Sequence, residues 1–452
     1  MSLPETFETP HEYFEEAVQF FREYQHLYNF PNTKLLLTDC LDRIDLDGLD
    51  TFDVFEIGTT LEAVADKNLS IRRLLDRISR LSVDYGSFEN KEDLESMVDA
   101  PMGVKKMHEV TYLVNEIQDF CEETGCDTVV DFGSGLGYLD ELLFAKSNFN
   151  VLGLEGSSDK QARAQERQMK YHENSSRKVK YITHVITEHS DEHIKEYLAK
   201  EFSDQKGFCI TGLHVCADLP IHAINLFLKM ADAKSIILLS CCYNRMACDT
   251  LGDKQKFKNF PVSHTLKGLY EKYKGYKFLK VPFLRLATQP PRTAECLRDL
   301  VFNLLARCVI ELYTERNYCI LKRRHRKAVK TKKIENDFES YINQACKGFE
   351  LSCKYLLCSS KIENTRPRKC ECELKFDFEE LRNLWREFSN ECTFKKAAIF
   401  ILIQLHLQPV FENFVLYDRL VYVKEQGLAN CKIKKILNEA VSPRCFALLA
   451  SK

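Results

Sequence analysis

At 452 residues, with 45% hydrophobic content, 17 glycines and 12 prolines, the chain reads as globular and can bury a large core in two or three structural units. Nineteen cysteines, an odd count, with no charged and apolar leader after Met1, point to reduced thiols in cytosol or nucleus rather than a disulfide framework. The formal net charge of −2 conceals an asymmetry, because residues 1–100 carry 22 Asp and Glu against 9 Lys and Arg, leaving the remainder basic.

The first hundred residues read as a helical unit, with amphipathic stretches at His11–Tyr28 and Leu61–Leu81 joined by the acidic run Asp39–Asp53. A helix expected from Gly103 places Met107, Val110, Val114, Ile117 and Phe120 on one face. Lys105, Lys106, His108 and Glu109 cluster at its start, either reaching a ligand beyond the following strand or remaining ordinary surface charge.

VVDFGSGLGYL (129–139) is the most informative segment. A buried strand ends in Asp131, and Gly133, Gly135 and Gly137 allow a tight turn against a nucleotide-like ligand before a helix begins near Leu139. The spacing is G-x-G-x-G, not the G-x-G-x-x-G of a dinucleotide fold, so a dinucleotide is the second choice. The next strand, FNVLGLEG (149–156), ends in Glu155, placed to accept hydrogen bonds from ribose hydroxyls.

Further strand signals at Lys180–Ile186, Phe208–Val215 and Ser235–Cys241 alternate with helices, the pattern of a doubly wound parallel sheet. The fourth strand leaves His214, Cys216 and Asp218 at its carboxyl end, and the fifth delivers Cys241, Cys242 and Tyr243 to the same edge. The stretch 244–393 is too long for a crossover and reads as an insertion domain. An amphipathic helix, Lys395–Gln426, and a hairpin of IKKIL (433–437) with CFALLAS (445–451) then return to the core. The expected division is a helical unit 1–100, a cofactor-bearing core 101–243, the insertion 244–393 and a returning segment 394–452. The longest uncharged apolar stretch, Ala397–Phe411, falls short of the ~20 residues of a membrane span, so no membrane partner is expected.

The glycine loop, its preceding Asp and the second-strand Glu resemble the cofactor site of class I S-adenosylmethionine-dependent methyltransferases. MGVKKMHEV (102–110), VLGLEG (151–156), GLHVCADL (212–219), SCCY (240–243), FPVS (260–263), LQPVFENFVLYDRLVYVKEQG (407–427) and SPRCFALLASK (442–452) together resemble the methyltransferase-like 25 family, from about residue 100 onward. That family includes a protein labelled ribosomal RNA adenine dimethylase domain-containing. The resemblance implies a Rossmann-like seven-stranded α/β sheet. It also implies S-adenosylmethionine as cofactor, held by Asp131, Gly133, Ser134, Gly135, Gly137 and Glu155. Ala217 stands where the family usually shows Gly, and Asp218-Leu219-Pro220-Ile221 lacks the aromatic that adenine dimethylases place after their proline.

Methyl transfer from a sulfonium is an in-line displacement that needs positioning and at times a proton acceptor, and demands no metal. Asp218 is the first candidate for orienting or deprotonating an acceptor, with His214 and Tyr243 as alternatives; the plainer reading of Asp218 is a helix N-cap before Pro220. Cys216 with Cys241 or Cys242 lacks the Pro-Cys and Thr-Cys contexts of pyrimidine C5 methylation. With His214 these cysteines also lack C-x-x-C zinc spacing, so apolar buried thiols are expected. The group Cys353, Cys358, Cys370 and Cys372 shows no standard zinc spacing. KRRHRKAVKTKK (322–333), with eight Lys and Arg, either contacts phosphates or is a solvated loop or import signal. The expected acceptor is a macromolecule, RNA before a protein side chain; a non-catalytic binding protein that keeps the fold is the alternative from another class.

Overall fold

A computed structural model describes the chain apart from Met1, 90–100, 203, 252–253, 291–296, 326–327, 330–333, 335 and 355–374. Seven strands form one sheet: β1 (Thr128–Phe132), β2 (Asn150–Glu155), β3 (Val179–Thr183), β4 (Phe208–Val215), β5 (Ala233–Ser240), and, numbered after four strands lying outside it, β10 (Cys431–Lys435) and β11 (Phe446–Ser451). Those four pair as two hairpins, β6 (Cys248–Leu251) with β7 (Lys254–Phe257) and β8 (Cys319–Arg323) with β9 (Phe349–Cys353). The sheet order is β10-β11-β5-β4-β1-β2-β3, parallel through β5, with β11 antiparallel to β5 and β10 antiparallel to β11. This is the Rossmann-like sheet of class I methyltransferases.

Alternation along the strands builds the two faces. Val129, Val151, Cys209 and Ile237 pack with Val110, Leu113 and Ile117 of the Val104–Thr124 helix, whereas Val130, Leu152, Ile210 and Ile236 pack on the other face with Ile194, Leu198, Ile224 and Phe227. Every residue of β1 is buried, which explains the apolar pair Val129 and Val130 before Asp131.

Contacts group residues 1–22, 80–291 and 408–452 into one compact unit that contains the sheet, and 23–79 with 292–407 into a second. The second unit centres on the Leu297–Arg316, Phe338–Gly348 and Phe378–Phe388 helices, where Trp385 stacks on Phe338 with ring centroids 4.5 Å apart. Within it, the continuous helix expected over Leu61–Leu81 is two, Leu61–Ala65 and Leu69–Leu81. Asn68 explains the break: its Oδ1 accepts the Ile71 N–H at 2.9 Å while its Nδ2 donates to the Asp47 carbonyl at 2.9 Å.

The long helix Glu391–Glu425 is long and apolar enough by composition to cross a membrane, yet 83% of its most apolar stretch is buried inside the protein. Its C-terminal half uses two acids, one buried and one exposed, to hold backbone N–H groups. Asp418 is fully buried and accepts from Val262 N–H (2.7 Å), Ser263 N–H (3.0 Å) and Ser263 Oγ (2.6 Å), and Glu425 accepts from His264 and Thr265 N–H at 2.6 and 2.9 Å. The FPVS and YDRL segments singled out by sequence are therefore one hydrogen-bonded clamp. Asp418→Ala leaves three donors facing an apolar hole, so we expect a loss on the order of 3 kcal/mol, measured by urea unfolding; a change below about 1 kcal/mol would show that the clamp is not needed for stability.

Candidate functional site

The strand order reverses between β1 and β4, and at their carboxyl ends the following loops diverge, the position where open α/β sheets take ligands. On the β1 side the glycine loop turns with Gly133, Gly135 and Gly137 all at positive φ (85°, 63° and 72°). Gly133 and Ser134 N–H groups both donate to the Leu154 carbonyl, at 2.8 and 3.2 Å, which pins the loop across the end of β2. A Cβ on Gly137 would fall on the Tyr181 hydroxyl, and one on Gly153 would crowd Asp140, Tyr181 and Ser134, so both glycines are required by close approach as well as by φ at Gly137.

Glu155, at the end of β2, is buried, and its carboxylate accepts the Gly135 N–H at 3.1 Å and the Ser157 N–H at 3.0 Å. The Lys160 ammonium also reaches Oε1, at 3.5 Å, so Oε2, with the Gly135 N–H alone, keeps lone-pair capacity for a further donor. Beneath the loop, Asp131 is buried with its Oδ1 unpaired, and the Ser134 hydroxyl is likewise buried without a partner. Asp140, on the Tyr138–Ser147 helix, is fully buried beside Asp131. Burial raises both carboxyls, and for Asp140 the Asp131 charge raises it further. Asp140 was not singled out by sequence; an acid three residues beyond the last glycine reads as an ordinary first-turn helix residue.

Across the crevice, β4 ends in strained backbone, with His214 at φ 63° and Ala217 at φ 57°. The second value gives the physical reason for a glycine at that position in the family pattern. His214 Nε2 lies 2.9 Å from Glu109 Oε1, which also accepts the Ser442 hydroxyl at 2.8 Å, with Lys105 and Lys106 at 3.5 and 3.3 Å from the same carboxylate. Burial acts to raise the Glu109 carboxyl, but His214, Ser442 and Lys106 outweigh it and bring it down to about 2. His108 goes elsewhere, accepting the Asn438 N–H at 3.0 Å. The charged start of the Val104–Thr124 helix is thus divided: Glu109 joins the site and His108 holds the C-terminal hairpin.

Asp218 is not an N-cap in the sense expected. It occupies the cap position of the Leu219–Lys229 helix, but with φ −88° and ψ −13° it makes no side-chain cap bond. Its carboxylate instead accepts the Ala247 N–H and the Asn259 amide, both at 2.8 Å, tying down the chain on either side of the β6–β7 hairpin. Tyr243 is also placed differently from the sequence expectation. It is buried, its phenol donates to Glu412 at 3.0 Å, and burial raises it well above the ordinary tyrosine value. Among the three proton-handling candidates, His214 alone combines partial exposure with an orienting carboxylate.

A family model described as a methyltransferase domain matches residues 105–249, the span from Lys105 through all five parallel strands. Residues 105–249 are a methyltransferase domain on the Rossmann-like sheet. The chain is also similar to "Probable methyltransferase-like protein 25" of Mus musculus, 24% identical over 260 residues, covering 55% of this chain and 38% of that protein. The Homo sapiens protein of the same name is 24% identical over 279 residues, covering 60% of this chain and 40% of the relative. The chain thus spans about two fifths of the length of these curated relatives. Among solved structures it is similar to the plantazolicin methyltransferase BpumL in complex with SAH, at 10% identity and TM-score 0.20, covering 54% of this chain and 83% of that one. It is likewise similar to the methyltransferase domain of bacterial CtHen1, at 15% identity and TM-score 0.23, covering 29% and 65%.

Glu109 supplies a pH test. With its carboxyl lowered from 4.5 to about 2, its contribution to stability is complete above pH 4.5 and is lost as pH falls through about 2. Glu109→Gln should lower stability at neutral pH by about 2 kcal/mol and flatten the acid limb of the stability curve between those values. An acid limb identical to wild type would place the titration elsewhere.

Proposed function

We propose that the chain is an S-adenosylmethionine-dependent methyltransferase acting on a macromolecular acceptor, RNA before protein. The observation that carries this reading is the pairing, across one crevice, of a glycine loop tied to a buried acid on β2 with an oriented imidazole on β4. The residues fit the cofactor. Gly133, Gly135 and Gly137 form a cradle without Cβ atoms, Glu155 would take the ribose hydroxyls, and the unpaired Asp131 Oδ1 would accept a hydrogen bond near the amino acid end, with Ser134 an unpaired hydroxyl beside it. When bound, that cofactor supplies an electrophilic methyl group on a sulfonium.

The protein's own residues orient the acceptor and handle its proton. With Nε2 of His214 bonded to Glu109, Nδ1 is the ring nitrogen left to face an acceptor, because the hydrogen bond at one ring nitrogen fixes the ring's orientation. A carboxylate held ionised across the physiological range also favours the imidazolium that forms when a proton is taken up. Asp218 would act by holding the hairpin beside the crevice, since both its oxygens are already engaged.

The preference for RNA leans on charge. Outside the acidic first hundred residues the chain is basic, and KRRHRKAVKTKK concentrates that excess. Of that run, Lys322, Arg323, Arg324 and His325 lie among the described residues, with Lys322 and Arg323 at the end of β8, while 326–327 and 330–333 lie outside them.

Two measurements separate the parts of this reading. Glu155→Ala should weaken S-adenosylmethionine binding by about 10- to 100-fold, the scale of charge-assisted hydrogen bonds lost, by calorimetry; equal affinity would remove Glu155 from the ribose. His214→Gln should bind cofactor as wild type but lose about 100-fold or more in transfer, the usual scale for a general base. The acceptor is identified by labelling lysate of cells lacking the protein with tritiated cofactor and counting RNA and protein fractions separately. Label confined to protein would overturn the RNA preference, and cofactor binding without label in either fraction would favour a binding protein.

A further inference from the structure

Cys216 follows β4 directly, and Cys241 and Cys242 follow β5 directly. Because Val215 is registered against Ser240 in the parallel ladder, the residues after them emerge side by side. In a straight strand Cys241 and Cys242 would face opposite sides of the sheet. They do not, because the chain leaves β5 at Ser240 and Cys242 adopts φ −112° and ψ 66° before the turn Tyr243–Arg245. The left-handed residues His214 and Ala217 bracket Cys216 in the same way on β4.

The three sulfurs converge as a result. Cys216 Sγ lies 2.7 Å from Cys241 Sγ, Cys241 Sγ lies 3.4 Å from Cys242 Sγ, and all three fall within 4.8 Å of one another. All three side chains are half-buried, unlike the apolar burial expected from sequence. Apart from one another, the acceptor that Cys216 and Cys241 share is a single carbonyl, that of His214, at 3.2 and 3.6 Å. Two thiols competing for one carbonyl, with the Cys242 sulfur accepting from Cys241, form a compact cluster of soft ligands.

We propose that Cys216, Cys241 and Cys242 bind one zinc ion as thiolates, with the fourth coordination position left open. Three S–H bonds break, three S–Zn bonds form, three protons pass to solvent and no electron moves. Zinc with ~2.3 Å bonds to tetrahedrally disposed sulfurs sets them about 3.8 Å apart, so the 216–241 pair opens by about 1 Å and the 241–242 pair by less. A disulfide between Cys216 and Cys241 would need ~2.05 Å and would give the third sulfur no role. A hard cation does not suit the group, because among the described residues its three members are all thiols. Three thiolates on a divalent ion leave one negative charge, and the Arg245 guanidinium acts electrostatically on both Cys216 and Cys242. The ion would join the carboxyl ends of β4 and β5 independently of any cofactor or acceptor.

The test uses the full chain purified without a histidine tag under reductant. Metal analysis should find one more zinc equivalent in wild type than in Cys216→Ser/Cys241→Ser, a comparison that cancels metal held by other cysteines. Cobalt substitution should give thiolate charge-transfer absorption in wild type that the double variant lacks. Should that variant fold poorly, alkylation of wild type read by mass spectrometry decides instead: Cys216, Cys241 and Cys242 should be protected until a chelator is added. Equal alkylation with and without chelator, equal zinc in the two proteins, a metal other than zinc, or recovery of a Cys216–Cys241 disulfide would each overturn the proposal.

Discussion

The reversal of strand direction-of-travel between β1 and β4 is the constraint on which the rest of this site depends. From β1 the chain steps outward to β2 and β3, and from β4 it steps the other way to β5, so the two loops at the centre of the sheet part from each other. The end of β1 is flanked by glycine on both neighbours. Gly153 on β2 faces Asp131 in register, and Gly212 on β4 sits where a Cβ would meet Val215 and the Phe132 carbonyl. Side chains on either would displace the strand end that carries Asp131.

Buried acids around this centre behave differently according to the donors they find. Glu109 is surrounded by an imidazole, a hydroxyl and two ammonium groups and stays ionised. Asp131 and Asp140 sit together with few donors, and burial favours protonation there. The long helix contributes a third kind, acids used as struts: Glu412 takes the Tyr243 phenol and the Arg444 guanidinium, and Asp418 takes the backbone after the cis Phe260–Pro261 peptide. Its neighbour Arg419 donates to Ser240 Oγ at 2.7 Å with its guanidinium 5.2 Å from the Tyr243 ring centre. The residues that make the C-terminal sequence distinctive thus hold the exit of β5.

Much of the sheet could be read from sequence, because strands buried on both faces appear as nearly unbroken apolar runs. Expected Asn150–Glu155 and Phe208–Val215 are the observed β2 and β4, and the hairpin of 433–437 with 445–451 is β10 with β11. Side-chain direction could not be read. Tyr243 follows a strand end, but the turn at Cys242 carries its ring inward; Asp218 has the sequence of a cap, but its helical φ and ψ point the carboxylate at Ala247 and Asn259. Glu109 was visible only as one charge in a cluster, since its significance arises from contact with a residue 105 positions away. Of the group Cys353, Cys358, Cys370 and Cys372, only Cys353 lies among the described residues.

The pairing of β11 with β5 has a consequence for how the chain is made. Leu238 finds its partner in Leu448, so the apolar strand SIILLS is synthesised long before the strand that covers its edge. At ordinary elongation rates of ~5–20 residues per second, that edge stays uncovered for on the order of 10–40 s on each nascent chain. An exposed apolar edge is a template for pairing with other chains, and the half-made protein therefore relies on whatever shields nascent chains in the cell. Expression of pieces that stop before Phe446 would make that transient exposure permanent, which argues for keeping the C-terminal hairpin whenever the methyltransferase domain is produced alone.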